Sequence, residues 1–174
     1  LDAPVSTYSP VWSGTDRAHV TVRDLLVHAS GLPAHLPVYA DAISAHDVLV
    51  RSATAPLAYA PRAASVYSDL GFIVLGDLLT RLLDDDWAAG VRHRLATLTD
   101  DPPAFGAPAG RVVMPTGVSA WRGRALQGEV HDDNAAALGG SAGHAGLFGS
   151  ARGLGDIARA MLRARRGEGD LPFA

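Results

Sequence analysis

Apolar residues along the 174-residue chain recur at intervals of three and four, while strict alternation is scarce, so the pattern predicts helices and few strands. The strongest signal is the run VYSDLGFIVLGDLLTRLL at 66–83. Phe72, Leu75, Leu79 and Leu82 fall at helical spacing, and Ile73, Val74, Leu78 and Leu83 fill the other faces. A helix apolar nearly all round is expected to be buried inside something larger. Ser68 or Asp69 can cap it by accepting from an unpaired amide of its first turn, which leaves Tyr67 at its mouth.

Five more helices, one of them short, are expected around this one. Thr21 and Asp24 stand three apart, as in a capping box, ahead of an apolar face of Val22, Leu25, Leu26 and Ala29. Ser30, Gly31 and Pro33 stop that helix. Another is expected from Ser44 or Ala45 to about Ala53, with Asp47 inside its cap. Asp84 to Asp86 place negative charge ahead of a third, marked by Trp87, Val91 and Leu95. The last begins at Ser150 and is expected to bury Leu154, Ile157, Ala158 and Met161 before the 163–169 run ends it. Residues 1–20, with Pro4 and Pro10, read as an extended connection. Pro56 and Pro61 predict the open segment that delivers Tyr67. Between 98 and 129 proline and glycine dominate, with a short strand expected at Arg111 to Met114. So long a loop favours a functional or wall-forming role. A short helix near Asn134 to Leu138 leads into GGSAGHAGLFGS at 139–150. Its glycines read as tight turns, with an anion-binding nest as the alternative.

Composition narrows the picture. Apolar residues make up 48% and charged residues 19%, a globular balance large enough for one core. A net charge of −3 gives no reason to expect nucleic acid as a partner. No apolar run is long enough to span a bilayer. Cysteine is absent, so disulfide and thiolate chemistry are excluded. All fifteen basic residues are arginine. The start at Leu1, in what reads as folded sequence, is expected of a piece of a longer protein.

Seven histidines raise the question of a metal, but no HExxH pattern occurs and Glu129 and Glu168 are the only glutamates. No metal and no cofactor are expected. His131, Asp132 and Asn134 read either as substrate contacts or as a helix cap by Asp132 or Asp133 beside a loop-fixing His131. His28 and Ser30, two apart at a helix end, do not face each other, and Ser30 reads as part of the helix stop.

Tyr67 reads either as a packed ring with one hydrogen bond or as a functional phenol. Working as a base near neutral pH would require its pKa to fall by roughly 3 units from about 10, or about 4 kcal/mol. A helix dipole supplies only about 0.3–1 kcal/mol at an exposed site. A neighbouring cation must supply the rest.

Three ordered blocks, TVRDLLVHASGLP at 21–33, VYSDLGFIVLGDLL at 66–79 and GEVHDDNAAALGGSAGHAGLFGSARGLGDIARAML at 128–162, resemble the serine β-lactamase-like family. That family includes class C β-lactamases, penicillin-binding D-alanyl-D-alanine carboxypeptidases and related esterases. The opening LDAPVSTYSP is similar to the segment after the family's nucleophile helix, and WRGR at 121–124 to one esterase-like branch. The resemblance implies a β-lactamase/transpeptidase-like α+β fold, of which residues 1–174 are a single partial domain carrying mainly the helical part. It implies acyl transfer by a serine and lysine on one helix turn, a tyrosine loop, and a later strand.

Tyr67-Ser68-Asp69 matches the tyrosine loop, which makes Tyr67 and Asp69 the implied catalytic residues and Ser68 a substrate-side one. Asp69 replaces the more usual asparagine, whose amide can donate to a substrate carbonyl where a carboxylate cannot. That change weighs against an efficient β-lactamase and leaves esterase or peptidase activity open. The proline-glycine turn that commonly precedes the tyrosine is altered to Pro61-Arg62. With no lysine in the chain, the serine–lysine pair is expected before Leu1. His144-Ala145-Gly146 matches the family's glycine-rich turn, so His144 and Gly146 are implied to lie on the substrate side.

The expected function is therefore part of a serine hydrolase acting through an acyl-enzyme on an ester or amide: a β-lactam, a D-Ala-D-Ala peptide or an ester. The chain alone is expected to be inactive, its partners a small-molecule or peptide substrate and the remainder of the same polypeptide. The alternatives are a non-catalytic module binding peptide or cell-wall fragments on the same fold, and a stand-alone helical interaction domain. Only the resemblance bears on location, and it implies an extracytoplasmic or secreted protein.

Overall fold

The computed structural model describes residues 1–83 and 86–171. Two 3₁₀ turns, Val5–Thr7 and Pro10–Trp12, precede helices α1 (Val22–Leu26), α2 (Ala45–Thr54), α3 (Asp69–Leu83) and α4 (Trp87–Ala96). Strands β1 (Ala104–Phe105), β2 (Pro115–Ser119) and β3 (Arg124–Gln127) follow, then α5 (Asp133–Ala137), β4 (Leu147–Phe148) and α6 (Ala151–Arg165). β1 pairs antiparallel with β4, and β2 with β3, giving two separate two-stranded sheets.

Helix α3 is the axis, with α1 and α2 packed against it. Its Leu70, Val74, Leu75 and Leu78 join Leu25 of α1 and Ala53 of α2 in one core. The burial expected of α3 holds only as far as Leu78, since Leu79 is 40% and Leu82 58% exposed. Residues 1–20 are not the extended connection that their prolines suggested. Val5, Trp12 and Val20 are fully buried, and the two turns satisfy their own backbone locally. The Trp12 indole donates to Ala53 O at 3.0 Å. The buried Arg17 guanidinium donates to Ala53 O and Ala55 O, both at 2.8 Å. A cation there serves the unpaired carbonyls at the end of α2.

The expected caps form. Thr21 and Asp24 make a full capping box, Ser44 accepts from Asp47 N–H, and Ser150 accepts from Gly153 N–H. Asp132, and not Asp133, caps α5 by accepting from Ala135 N–H at 2.7 Å. Asp86 caps α4, while the charge expected from Asp84 and Asp85 lies outside the described residues. Two further expectations shift. The strand placed at Arg111 to Met114 begins instead at Pro115, leaving Val112 and Met114 in solvent. Helix α6 buries Ile157 and Gly153 but leaves Leu154, Ala158 and Met161 exposed.

The glycine-rich turn lies directly on α3. A Cβ on Gly143 would collide with Phe72 O, and one on Gly76 would come within 2.9 Å of Gly143 N. Backbone meets backbone here, which is why both positions are glycine. Left-handed turns at Gly139, Gly140 and Gly146 together with this close approach account for much of the run.

Candidate active site

The loop before α3 is fixed from its ends inward. Ser68 is 1% exposed, and its hydroxyl donates to Pro33 O at 2.7 Å while accepting from Gly71 N–H at 3.1 Å. Ser68 therefore caps α3, and its hydroxyl is spent on the loop instead of facing a ligand. Asp69 N–H donates to Ala34 O at 2.9 Å. Arg62 holds a left-handed backbone with φ of 67°. A glycine would adopt this freely. Arg62 offsets the strain by gripping the Asp24 carboxylate, Nη2 to Oδ2 at 2.7 Å. Hydrogen bonds from that guanidinium, aided by Thr21 and opposed by burial, lower the Asp24 carboxyl to about 2.

Tyr67 then projects outward, 64% exposed, with its ring centroid 4.8 Å from that of His28. Partial desolvation, followed by the charge of Asp69 and then that of Asp132, holds its hydroxyl above the usual phenol range. The residue is open to solvent, as a functional phenol must be, but its proton is held more tightly than in a free tyrosine.

The two carboxylates come from different elements. Asp69 is the first residue of α3, and its Oδ2 lies 3.1 Å from His35 Nδ1. Asp132 caps α5, and its Oδ1 also receives the Nε2–H of His144 at 2.8 Å. Burial pushes the Asp132 carboxyl up, but the bonds from His144 and Ala135 outweigh it and leave Asp132 below its ordinary value. His35 is brought alongside by Asn134, fully buried, which accepts from Tyr39 N–H at 3.1 Å and donates to Leu36 O at 2.9 Å. His35, Asp69 and Asp132 offer ligand atoms within 4.8 Å of one another, a set with the donor chemistry to hold a divalent cation.

Of the residues implied to face substrate, His144 has a side chain only 2% exposed and turned to Asp132. Its ring orients a carboxylate and is closed to direct contact. Gly146 is buried with φ of 123°, and any Cβ would strike Gly140 O. It lines an open cleft of about 970 Å³, walled by parts of 100–116, 129–132 and 145–150. The long proline-glycine loop is thus a wall, as its length suggested. Asp132 lines the same cleft, and its charge contributes to holding the Tyr67 proton. His35 went unread in the sequence. It lies in the loop LPAHLP, where periodicity is silent, and the only signal was a polar residue held between two prolines.

The family model described as Beta-lactamase matches residues 1–172. The chain belongs to the β-lactamase family. Within this family of serine hydrolases it is 28% identical over 174 residues to a putative D-alanyl-D-alanine carboxypeptidase of Salmonella gallinarum, covering 86% of this chain and 40% of that protein. It is 29% identical over 167 residues to an N-acetylmuramyl-L-alanine amidase of Bacillus subtilis, covering 82% of this chain and 38% of that one. Among solved structures, the penicillin-binding protein of Bacillus halodurans superposes with a TM-score of 0.63 at 19% identity, over 94% of this chain and 52% of that chain. The fold is β-lactamase/transpeptidase-like, represented here by its helical portion with short strands. The chain spans about 40% of the length of the curated relatives it matches.

Proposed function

We propose that this chain is the helical portion of a serine hydrolase that forms an acyl-enzyme on an ester or amide. Its serine and lysine would come from polypeptide outside residues 1–174. One observation carries the reading: a solvent-open phenol, whose proton partial desolvation and two nearby carboxylates hold more tightly than usual, in a chain that contains no lysine. An ammonium group arriving between Tyr67, Asp69 and Asp132 would reverse the sign of the local field and lower the phenol. Tyr67 would then relay the proton of the attacking serine hydroxyl to the leaving group. Asp69 and Asp132 would seat the ammonium, and Gly146 would flank the acyl chain in the cleft. The carboxypeptidase and amidase among its relatives favour an amide of a cell-wall peptide as substrate, with β-lactams and simple esters as related acyl donors.

The test compares this chain with a longer polypeptide that supplies the missing pair. The chain alone is expected to take no covalent label from a fluorescent penicillin or an activated ester, and the longer form to take it stoichiometrically. Labelling of the chain alone would refute the division of the site. The cleft also supports a second reading, a non-catalytic binder of peptide or cell-wall fragments. Saturable binding of a muropeptide, without turnover even in the longer form, would favour it.

A further inference from the structure

The residue that holds Tyr67 is on another element. His28 follows α1 with φ of 57°, in the left-handed region uncommon for residues other than glycine. That backbone turns its carbonyl and its ring toward the same loop. The carbonyl accepts from Val66 N–H at 2.9 Å and from the Tyr59 hydroxyl at 3.1 Å. Nδ1 accepts from Ser68 N–H at 3.0 Å. Since a backbone N–H can only donate, Nδ1 carries no proton and the ring proton sits on Nε2. The same ring lies 4.8 Å from that of Tyr67 and 4.9 Å from that of Phe72. The residues on both sides of Tyr67 are thus bonded to one residue, on whose imidazole the tyrosine ring rests.

We infer that His28 is a positioning residue for Tyr67, setting both the path of its backbone and the direction of its ring. The inference rests on the proposed role of Tyr67 and adds a residue to it. Ending α1 does not explain the imidazole, because a glycine would adopt this backbone with less strain. What a glycine would lose is the acceptor for Ser68 and the surface under Tyr67.

The experiment uses this chain, with His28→Ala and His28→Asn compared by amide hydrogen exchange and by the ring proton shifts of Tyr67. In His28→Ala the Val66 and Ser68 amides are expected to exchange at least about tenfold faster, against unchanged amides in the middle of α3. The Tyr67 ring shifts should lose their imidazole ring-current component. In His28→Asn, which tolerates the left-handed backbone and offers an amide oxygen, Ser68 protection should return while the Tyr67 shifts do not. Unchanged exchange and unchanged Tyr67 shifts in His28→Ala would overturn the inference. So would acceleration spread evenly through α3, the mark of a merely structural residue. Should His28→Ala not fold, His28→Asn decides: Tyr67 shifts identical to those of the parent chain overturn it. Neither readout requires acylation, so an inert longer polypeptide would count against the hydrolase and leave this result standing.

Discussion

Tyr67 holds its proton more tightly than a free tyrosine, first because its ring is partly desolvated and then because Asp69, at the start of α3, and Asp132, at the cap of α5, add negative charge nearby. In the longer polypeptide, Tyr67→Phe is expected to lower the acylation rate by about 10²–10⁴-fold. Thermal unfolding should hardly move, since the ring is largely in solvent. Asp24 makes a different claim. Its folded carboxyl titrates near 2 against an ordinary 3.8, so it favours folding wherever the unfolded chain would be ionised. That contribution, of about 2 kcal/mol, is complete above the unfolded value and is lost as pH falls through the folded one. Denaturant midpoints followed from pH 5 down to about pH 2 should therefore decline less steeply in Asp24→Asn than in the parent chain.

Between elements, the contacts that matter are short and local at one end, distant at the other. Ser68→Ala removes the cap of α3 and leaves Pro33 O without its donor, at an expected cost of about 1–2 kcal/mol in urea unfolding. Gly143→Ala drives a methyl into Phe72 O, with an expected loss of about 1–3 kcal/mol in the same measurement. The first contact was legible in the sequence and the second was not. Thr21, Ser44, Ser68 and Ser150 declare themselves because a cap and its amide lie within three residues. The burial of Trp12 and Arg17 against the end of α2 could not be read, because those partners lie 36 to 41 residues away. His35 is held beside Asp69 by the bonds of Pro33 and Ala34 to the start of α3, and Asn134 brings Asp132 to them by tying the 36–39 loop to α5, across 95 residues or more. Tyr67 was proposed from its neighbours in sequence, and His28 as its support only from its neighbours in space.

At the scale of the whole chain, surface is in excess. The accessible area is 9907 Å², where a compact monomer of 18.1 kDa would present about 8,100 Å². Large apolar side chains are part of that surface, with Leu79 and Leu82 on α3 and Leu154, Met161 and Leu162 on α6 open to water. Such faces are covered by something in a stable protein. The chain is therefore expected to bind a hydrophobic dye while still folded, and to lose most of that binding in the longer polypeptide. A stand-alone interaction domain predicts no such difference. The same open leucines bear on how the fold responds to heat. Apolar groups already wet before unfolding add nothing to the heat-capacity increment when the structure melts. Calorimetry should give a value per residue below the usual ~12–15 cal/mol/K, so the stability curve of this chain is broad and shallow, changing little between a cold room and a warm one.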